Sequence, residues 1–441
     1  MTASNYRITI IDSIEQISKE RWQYLAKESG PFVSYEFLHA LERSGSCSNE
    51  SGWQPCHIAI AKGQHEAVNL VIPGYLKTHS YGEYVFDHAW ANAYAQHGLD
   101  YYPKWISAIP FTPVTGSRLL SDGHIALTPS LLSELENTLT AHVESVFGEA
   151  LSSFHWLFPN ESTSAQLIGK DEPEASELAD DLPNDQFKVQ PSIPNHYLTR
   201  YAVQFQWHNY GYGDFDDFLN ALTSRKRKDI KKSRRKLNEQ GVRFTHHTGS
   251  EISPETLQFF TKCYKATYLK RSGHVGYLND AFFEQLVESM SDNMLIVTAI
   301  ENEVAVASAL FFYDETGLYG RYWGALKEID GLHFACCYFE GIEFAIEKKL
   351  SLFNPGTQGE HKILRGFEPI YCRSHHKLQH PSFHTAVADF LQRETPHIAS
   401  YFNQARNALP FNKEFVPTLK TTSVTAPNDD TYNHNEKNDE I

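Results

Sequence analysis

The chain is expected to fold as a mixed α/β protein duplicated in tandem, each half a central twisted mixed sheet flanked by helices. Three observations carry that expectation. The segments "HIAIAKGQHEAVNLVIPGYL" (57–76) and "LIVTAIENEVAVASALFFYD" (295–314) each run from an apolar stretch through a polar turn to a second apolar stretch, the pattern of a β-hairpin. Each is followed by an aromatic strand with the same core, Tyr81-Gly82-Glu83-Tyr84 and Tyr319-Gly320-Arg321-Tyr322; His57 precedes Tyr81 by 24 residues, as Leu295 precedes Tyr319. Later in each half an amphipathic helix leads to a strand, "SLLSELENTLTAHVESVFG" before "SSFHWLFP" and "LHFACCYFEGIEFAIEKKL" before "SLFNPG".

Composition divides the 441 residues into two globular domains, 1–165 and 195–417, an acidic linker or surface insertion at 166–194, and a polar tail at 418–441 expected to be disordered. The linker reading rests on "KDEPEASELADDLPNDQ", which holds seven acidic residues and no apolar period. With 39 Lys and Arg against 54 Asp and Glu, the net charge of −15 excludes wholesale wrapping of nucleic acid, although a local basic patch can still bind phosphate. No apolar run approaches the roughly 20 residues a bilayer span needs, and "MTASNYRITIIDSIEQ" lacks the regions of a signal peptide, so the expectation is a cytoplasmic protein without membrane insertion. Six cysteines, with Cys336 and Cys337 adjacent, fit neither a disulfide framework nor a CxxC metal pattern and read as buried thiols.

In the first half, residues 79–104 pack seven aromatic rings and three histidines into 26 positions. Tyr81, Glu83, Asp87, His88 and Trp90 are expected to line a substrate groove between the halves, the rings stacking on a ligand and the polar groups orienting it. In the second half, residues 215–237 read as one helix with Phe215, Leu219, Leu222, Lys226, Ile230, Ser233 and Leu237 on one face. Its C-terminal part carries nine cations in the twelve residues from Arg225 to Lys236. Arg225, Lys228, Lys232 and Arg235 are the expected anion-binding face, suited to tRNA, a nucleotide or an anionic lipid surface. "GLYGRYWGAL" (317–326) is a strand with three glycines, and glycine inside a strand marks a bulge or a close backbone approach. In the helix that follows, Phe334, Tyr338, Ile342 and Ala345 form a core stripe and Glu340, Glu343 and Glu347 turn away from it. The pairs His246-His247 and His375-His376 alternate across strand faces without a carboxylate or cysteine at ligand spacing, so no metal is expected.

The blocks "SYGEYVFDHAWANAYAQHGLDYYPKW", "IPFTPVTGSRLL", "SRKRKDIKKSRRK", "LYGRYWG" and "GTQGEHKILRGFEP" resemble, in this order, the signature blocks of the bacterial FemAB-like family of peptidoglycan biosynthesis/recognition proteins and N-acyltransferases. The resemblance implies two GNAT-like domains and transfer of an acyl or aminoacyl group to an amine, on a peptidoglycan precursor or small metabolite, without a covalent enzyme intermediate. It implies acyl-CoA or aminoacyl-tRNA as donor. GNAT-type sites use a splayed central strand whose backbone donates to the thioester carbonyl, which points to 317–326 and makes Tyr319, Arg321, Tyr322 and Trp323 expected substrate contacts. Such proteins also place a Gln/Arg-x-x-Gly-x-Gly/Ala loop at the pyrophosphate. Here that loop reads Glu328-Ile329-Asp330-Gly331-Leu332-His333; only Gly331 fits, and two carboxylates would repel a pyrophosphate.

Acyl transfer to an amine needs a polarised carbonyl and a route for the released proton. "NPGTQGEHKILRGFEP" (354–369) is the candidate for the second need, with Glu360 the first choice as proton acceptor and His361 the next, and with Gln358 and Lys362 as substrate contacts. The first half offers no pyrophosphate-type glycines at its matching turn or helix start and reads as a scaffold. A rival reading is a non-catalytic recognition module for a muropeptide, nucleotide or tRNA.

Overall fold

The computed structural model describes residues 6–63, 67–168, 196–357, 359–415 and 417–420. Its first half contributes β1 (Tyr6–Ile11), β2 (Trp53–Pro55), β3 (His57–Lys62), β4 (Val68–Ile72), β5 (Tyr75–Lys77), β6 (Lys104–Ser107), β7 (Leu120–Ser121) and β8 (Ser153–Leu157). Its second half contributes β9 (Leu198–His208), β10 (Val242–Thr248), β11 (Met294–Glu301), β12 (Val304–Tyr313), β13 (Gly317–Ala325), β14 (Leu352–Asn354) and β15 (Glu368–Leu378). They build a four-stranded sheet, β1-β3-β4-β7, and an eleven-stranded sheet, β10-β11-β12-β13-β14-β9-β15-β8-β6-β5-β2. Helices flank both sheets, as the mixed α/β expectation requires.

Both expected hairpins form, β3 with β4 and β11 with β12. The duplication is visible in the pairing. In each half an antiparallel strand precedes the hairpin, β1 on β3 and β10 on β11. In each half, too, a helix carries the chain between two parallel strands: Pro129–Phe147 from β6 to β8, and the helix over 332–347 from β13 to β14. One expectation fails here. Tyr81–Tyr84 is not a strand, because Gly82 (φ 80) and Tyr84 (φ 59) both occupy the left-handed region, which an extended ladder cannot contain. The counterpart of β13 is β6, further along the chain.

The first-half sheet breaks where the Cys56 N–H donates to the Gly74 carbonyl at 2.8 Å, and the Trp105 indole fills the bend, donating to the Cys56 carbonyl at 3.0 Å. A Cβ on Gly74 would stand 2.5 Å from that indole, so only glycine lets the ring in. The two halves share a core as well as a sheet: Phe32 packs edge-on against Phe312 and Tyr319, with ring centroids 5.4 and 5.2 Å apart. β15 completes the seam, pairing with β8 on one side and β9 on the other.

The single helix expected over 215–237 is two, Phe215–Ala221 and Ser224–Glu239, because Leu222 is extended (ψ 158) and Thr223 gives its N–H to the Pro410 carbonyl. The apolar face holds on both sides of the break: Phe215, Leu219, Leu222, Ile230 and Leu237 are buried. In the 332–347 helix, Tyr338, Ile342 and Ala345 are buried as expected, but Glu340 is buried too and meets His246 at 2.9 Å. A π-helical turn, Ala335–Phe339, breaks the 3.6-residue period on which the outward glutamate face depended. Of the segment 166–194 expected as an acidic linker or surface insertion, 166–168 belong to the helix Glu161–Ile168 and the rest lies outside the described residues, as does the expected tail of 418–441 from residue 421 onward. Among the described residues no helix is long and apolar enough to cross a membrane.

Candidate functional site

β13 and β14 run parallel for three pairs only, Gly317 with Leu352, Leu318 with Phe353 and Tyr319 with Asn354. β13 then continues to Ala325 while β14 ends in the turn Pro355-Gly356, so the strands part. A cavity of about 650 Å³ opens at the split. Its walls are β13 from Gly320 to Trp323, the turn at 355–357, Gly359, His361 and Lys362, and His333, Cys337 and Tyr338 of the following helix. The helix Pro254–Ser272 closes one side with Tyr268 and Arg271, and the first half supplies Tyr84 and Pro113. The cavity therefore lies between the halves.

The glycines of β13 have separate tasks. Leu310 pairs with Tyr322 and Phe311 with Gly320, which leaves Arg321 as the extra residue of a β-bulge. A bulge re-aims the side chain it carries, and Arg321 lines the cavity, its Nη2 donating to the Phe111 carbonyl of the first half at 2.9 Å. Gly324 is the close approach: a Cβ there would stand 1.9 Å from the Cys263 carbonyl oxygen. That contact presses the helix Pro254–Ser272 onto the strand.

Lys362 is 1% exposed, and its Nζ donates to the Gly356 carbonyl at 2.6 Å. Burial, with the Arg321 guanidinium beside it, brings its ammonium down to about 7. His361 stands on the cavity wall with its Nε2 2.8 Å from the Tyr338 hydroxyl. Its ring lies against Gly359 (φ 112), where a Cβ would come within 2.2 Å of it. Burial, Arg365 and Lys362 together hold the His361 imidazole below its ordinary value. Glu360 faces the other way: its carboxylate is solvent-exposed and accepts from the Tyr401 hydroxyl at 3.1 Å, and it is not among the cavity-lining residues. The order in which the sequence ranks these two residues is thus reversed by their placement, since adjacent side chains of this 3₁₀ turn point to different sides. Gln358 lies outside the described residues.

Of the other expected contacts, Tyr322 and Trp323 line the cavity, whereas Tyr319 is buried against Phe32 and gives its hydroxyl to Asp314 at 3.3 Å. The aromatic stretch is divided. Tyr84 reaches the cavity, and a bulky side chain at φ 59 is the kind of backbone exception that collects at working sites. Glu83 and Asp87 do not reach it. Both are buried around Lys104, which donates to Glu83 at 2.8 Å and to Asp87, while the Tyr101 hydroxyl adds a bond to Asp87 at 2.7 Å. Trp90 is buried edge-on to His376 with centroids 4.9 Å apart, and Tyr81 and His88 are exposed. Most of this stretch therefore forms the structure behind the cavity, held by an ion cluster whose lysine follows the carboxylates by 17 and 21 residues and so escapes a local reading.

Arg225, Lys228, Lys232 and Arg235 are all exposed on the helix Ser224–Glu239. Their neighbours on it are engaged by the protein's own acids: Lys231 with Asp216 at 2.8 Å, Arg234 with Glu343 at 2.8 Å and Lys236 with Asp330 at 2.9 Å. The loop 328–333 is also less hostile to anions than its sequence suggests. Asp330 is bound to Lys236 and Glu328 to Lys270, both outside the cavity lining. Tyr268, Arg271 and Tyr277 are cavity residues that no sequence pattern marks, because the helix and loop carrying them come into place only by packing on β13.

Residues 13–413 match the model of the FemAB-like family, described as peptidoglycan biosynthesis/recognition. No curated protein matches the chain. Among solved structures, FemX is 10% identical over 85% of this chain and 98% of its own, with a TM-score of 0.45. L-PGS from Bacillus licheniformis is 11% identical over 85% and 98%, with a TM-score of 0.44. A tandem GNAT protein from the clavulanic acid biosynthesis pathway is 10% identical over 85% and 99%, with a TM-score of 0.40.

Proposed function

We propose that this chain, which belongs to the FemAB-like family, is an N-acyltransferase that moves an acyl or aminoacyl group onto an amine in the cavity between β13 and β14. The observation that carries the reading is the edge of β13 beyond Tyr319, which no strand among the described residues pairs on the β14 side and which faces the cavity. Backbone N–H groups fixed along such an edge suit a thioester or ester carbonyl, whose oxygen gathers negative charge as the amine attacks. The donor is an acyl-CoA or an aminoacyl-tRNA, and the acceptor an amine of a peptidoglycan precursor or small metabolite. The C–N bond forms, the C–S or C–O bond breaks, and the proton of the attacking amine leaves through His361, which is neutral near pH 7 and stands in the cavity beside the Tyr338 hydroxyl. Cys337 also lines the cavity, but burial pushes its thiol up and away from the nucleophilic thiolate, which supports direct attack over a covalent intermediate.

The test incubates the protein with a panel of acyl-CoA thioesters and total aminoacyl-tRNA, each with muropeptide and small amines, and seeks the new amide by mass spectrometry. His361→Gln should lower turnover by about 10²–10⁴-fold with binding preserved. Wild-type protein that binds donor or muropeptide and forms no amide would leave the recognition-module reading in its place.

A further inference from the structure

We propose that Arg321 and Lys362, with Arg271 at the mouth, form a built seat for an oxyanion, a phosphate or a carboxylate carried by the ligand of this cavity. The inference rests on the cavity proposed for acyl transfer, but on its charge and not on its chemistry. Each inner cation gives a hydrogen bond to a main-chain carbonyl and forms no ion pair among the described residues, Lys362 with Gly356 at 2.6 Å and Arg321 with Phe111 at 2.9 Å, the Arg321 guanidinium also lying 5.7 Å from the centre of the Tyr322 ring. The Arg321 Nε is buried and donates to nothing among the described residues. No Asp or Glu stands among the described residues that line the cavity, in a chain that carries 54 of them.

What sets these cations apart is the open space they face. Lys104 has Glu83 and Asp87 and the half-buried Lys377 has Glu136 at 2.6 Å, while the fully buried Arg118 and Lys77, also without an acid among the described residues, spend their donors on main-chain carbonyls, Arg118 on Leu157, Ser117 and Val114 and Lys77 on Gly52 at 2.9 Å and Tyr81 at 3.4 Å. None of these four lines the cavity. Two neighbouring cations without a counter-charge are costly to hold in a desolvated site, and they repel each other. A site that keeps them facing an open volume is complementary to an anion that arrives with the ligand. The bulge at Arg321 and the left-handed Gly356 (φ 89) are what aim the two groups at one space.

The probes are inorganic phosphate, pyrophosphate and glutarate, titrated calorimetrically into the full chain at constant ionic strength. At least one should bind wild-type protein, and the stronger of the phosphate and carboxylate arms identifies the source. Arg321→Met and Lys362→Met should each weaken that binding tenfold or more, Arg321→Lys should keep part of it, and Arg225→Gln/Lys228→Gln/Lys232→Gln should leave it unchanged. Without ligand at pH 6, where Lys362 is charged in the folded chain, Lys362→Met should melt at the wild-type temperature or above it, since an apolar replacement of an uncompensated buried charge removes a cost. The proposal fails if no probe binds beyond the ionic-strength control, if the loss follows the exposed helix, or if Lys362→Met melts lower. Anion binding without amide formation would keep the seat and remove acyl transfer; amide formation that survives both methionine variants with unchanged anion affinity would do the reverse.

Discussion

Replacing Lys104 by methionine is expected to destabilise the protein by about 3–5 kcal/mol near pH 7.5, the range for removing one partner of a buried ion pair. Lys104 is fully buried and donates to Glu83 at 2.8 Å, to Asp87 and to the Ser80 hydroxyl at 3.0 Å. Burial works against its charge, yet the two carboxylates hold its ammonium above the ordinary value. Burial raises the Glu83 carboxyl to about 7, whereas Lys104 overcomes burial at Asp87 and keeps that group well below the usual carboxylate range. Near neutrality the cluster is thus one ammonium, one carboxylate and one carboxyl in the middle of its titration. Methionine fills the lysine's volume but orphans Asp87, whose carboxyl must then rise. A group with a raised folded value contributes stability below its unfolded value and loses it as pH climbs, so the gap between wild type and variant should widen from pH 5 to pH 8. With a urea slope of about 3 kcal/mol/M, the midpoint should fall by about 1 M or more at pH 7.5, and Asp87→Asn in the same chain should recover part of the loss. A gap under about 1 kcal/mol, or one indifferent to pH, would mean that Glu83 and Asp87 are solvated and free for a substrate.

Gly324→Ala should cost about 3 kcal/mol or more in urea unfolding, because its Cβ would collide with the Cys263 backbone at 1.9 Å, while Gly320→Ala, with nothing nearer than 3.4 Å, should cost about 1 kcal/mol or less. Lys362, held at about 7, is neutral in the folded chain over a range where the unfolded lysine still binds its proton. Wild-type stability should therefore climb relative to Lys362→Met by up to about 1.4 kcal/mol per pH unit from pH 7 to pH 10, read from paired denaturation curves. Neutralising Arg225, Lys228 and Lys232 together should leave stability within about 0.5 kcal/mol. If tRNA docks on that face, the slope of log affinity against log salt should fall by about 2–3 in a filter-binding assay.

Much of the fold was legible because it is written locally. The hairpins at 57–76 and 295–314 declare themselves by apolar runs around a polar turn, and the helix-to-strand order that follows each is equally local. Where a residue acts through the backbone, sequence alone misled: "YGEY" and "YGRY" share three of four letters, yet Gly82 and Tyr84 turn the first into a loop while the second stays a strand with a bulge. The glycines of 317–326 were correctly read as bulge or close approach, but only packing tells that Gly320 flanks the bulge and Gly324 makes the approach. Glu360 and His361 are equally plausible in one dimension and separate only once the 3₁₀ turn sends one to solvent and the other to the cavity.

Charge is the most visible feature of the sequence, yet its densest run lies outside the cavity between β13 and β14. The nine cations from Arg225 to Lys236 stand out because they crowd into twelve residues, yet Lys231, Arg234, Arg235 and Lys236 are each matched to an acid of the same protein and this part of the helix is largely exposed, where screening dilutes the rest. Arg271, Arg321 and Lys362 are scattered over some ninety residues and carry a third of that charge. A helix pressed down by Gly324, a bulge and a left-handed turn bring them to one cavity wall from which carboxylates are absent among the described residues. Lys362 is buried and Arg321 half-buried with its Nε out of solvent, and a desolvated charge acts on a ligand far more strongly than an exposed one. What marks the proposed anion seat is thus not the number of cations along the chain but which of them the fold has turned, without an acid, onto an open cavity.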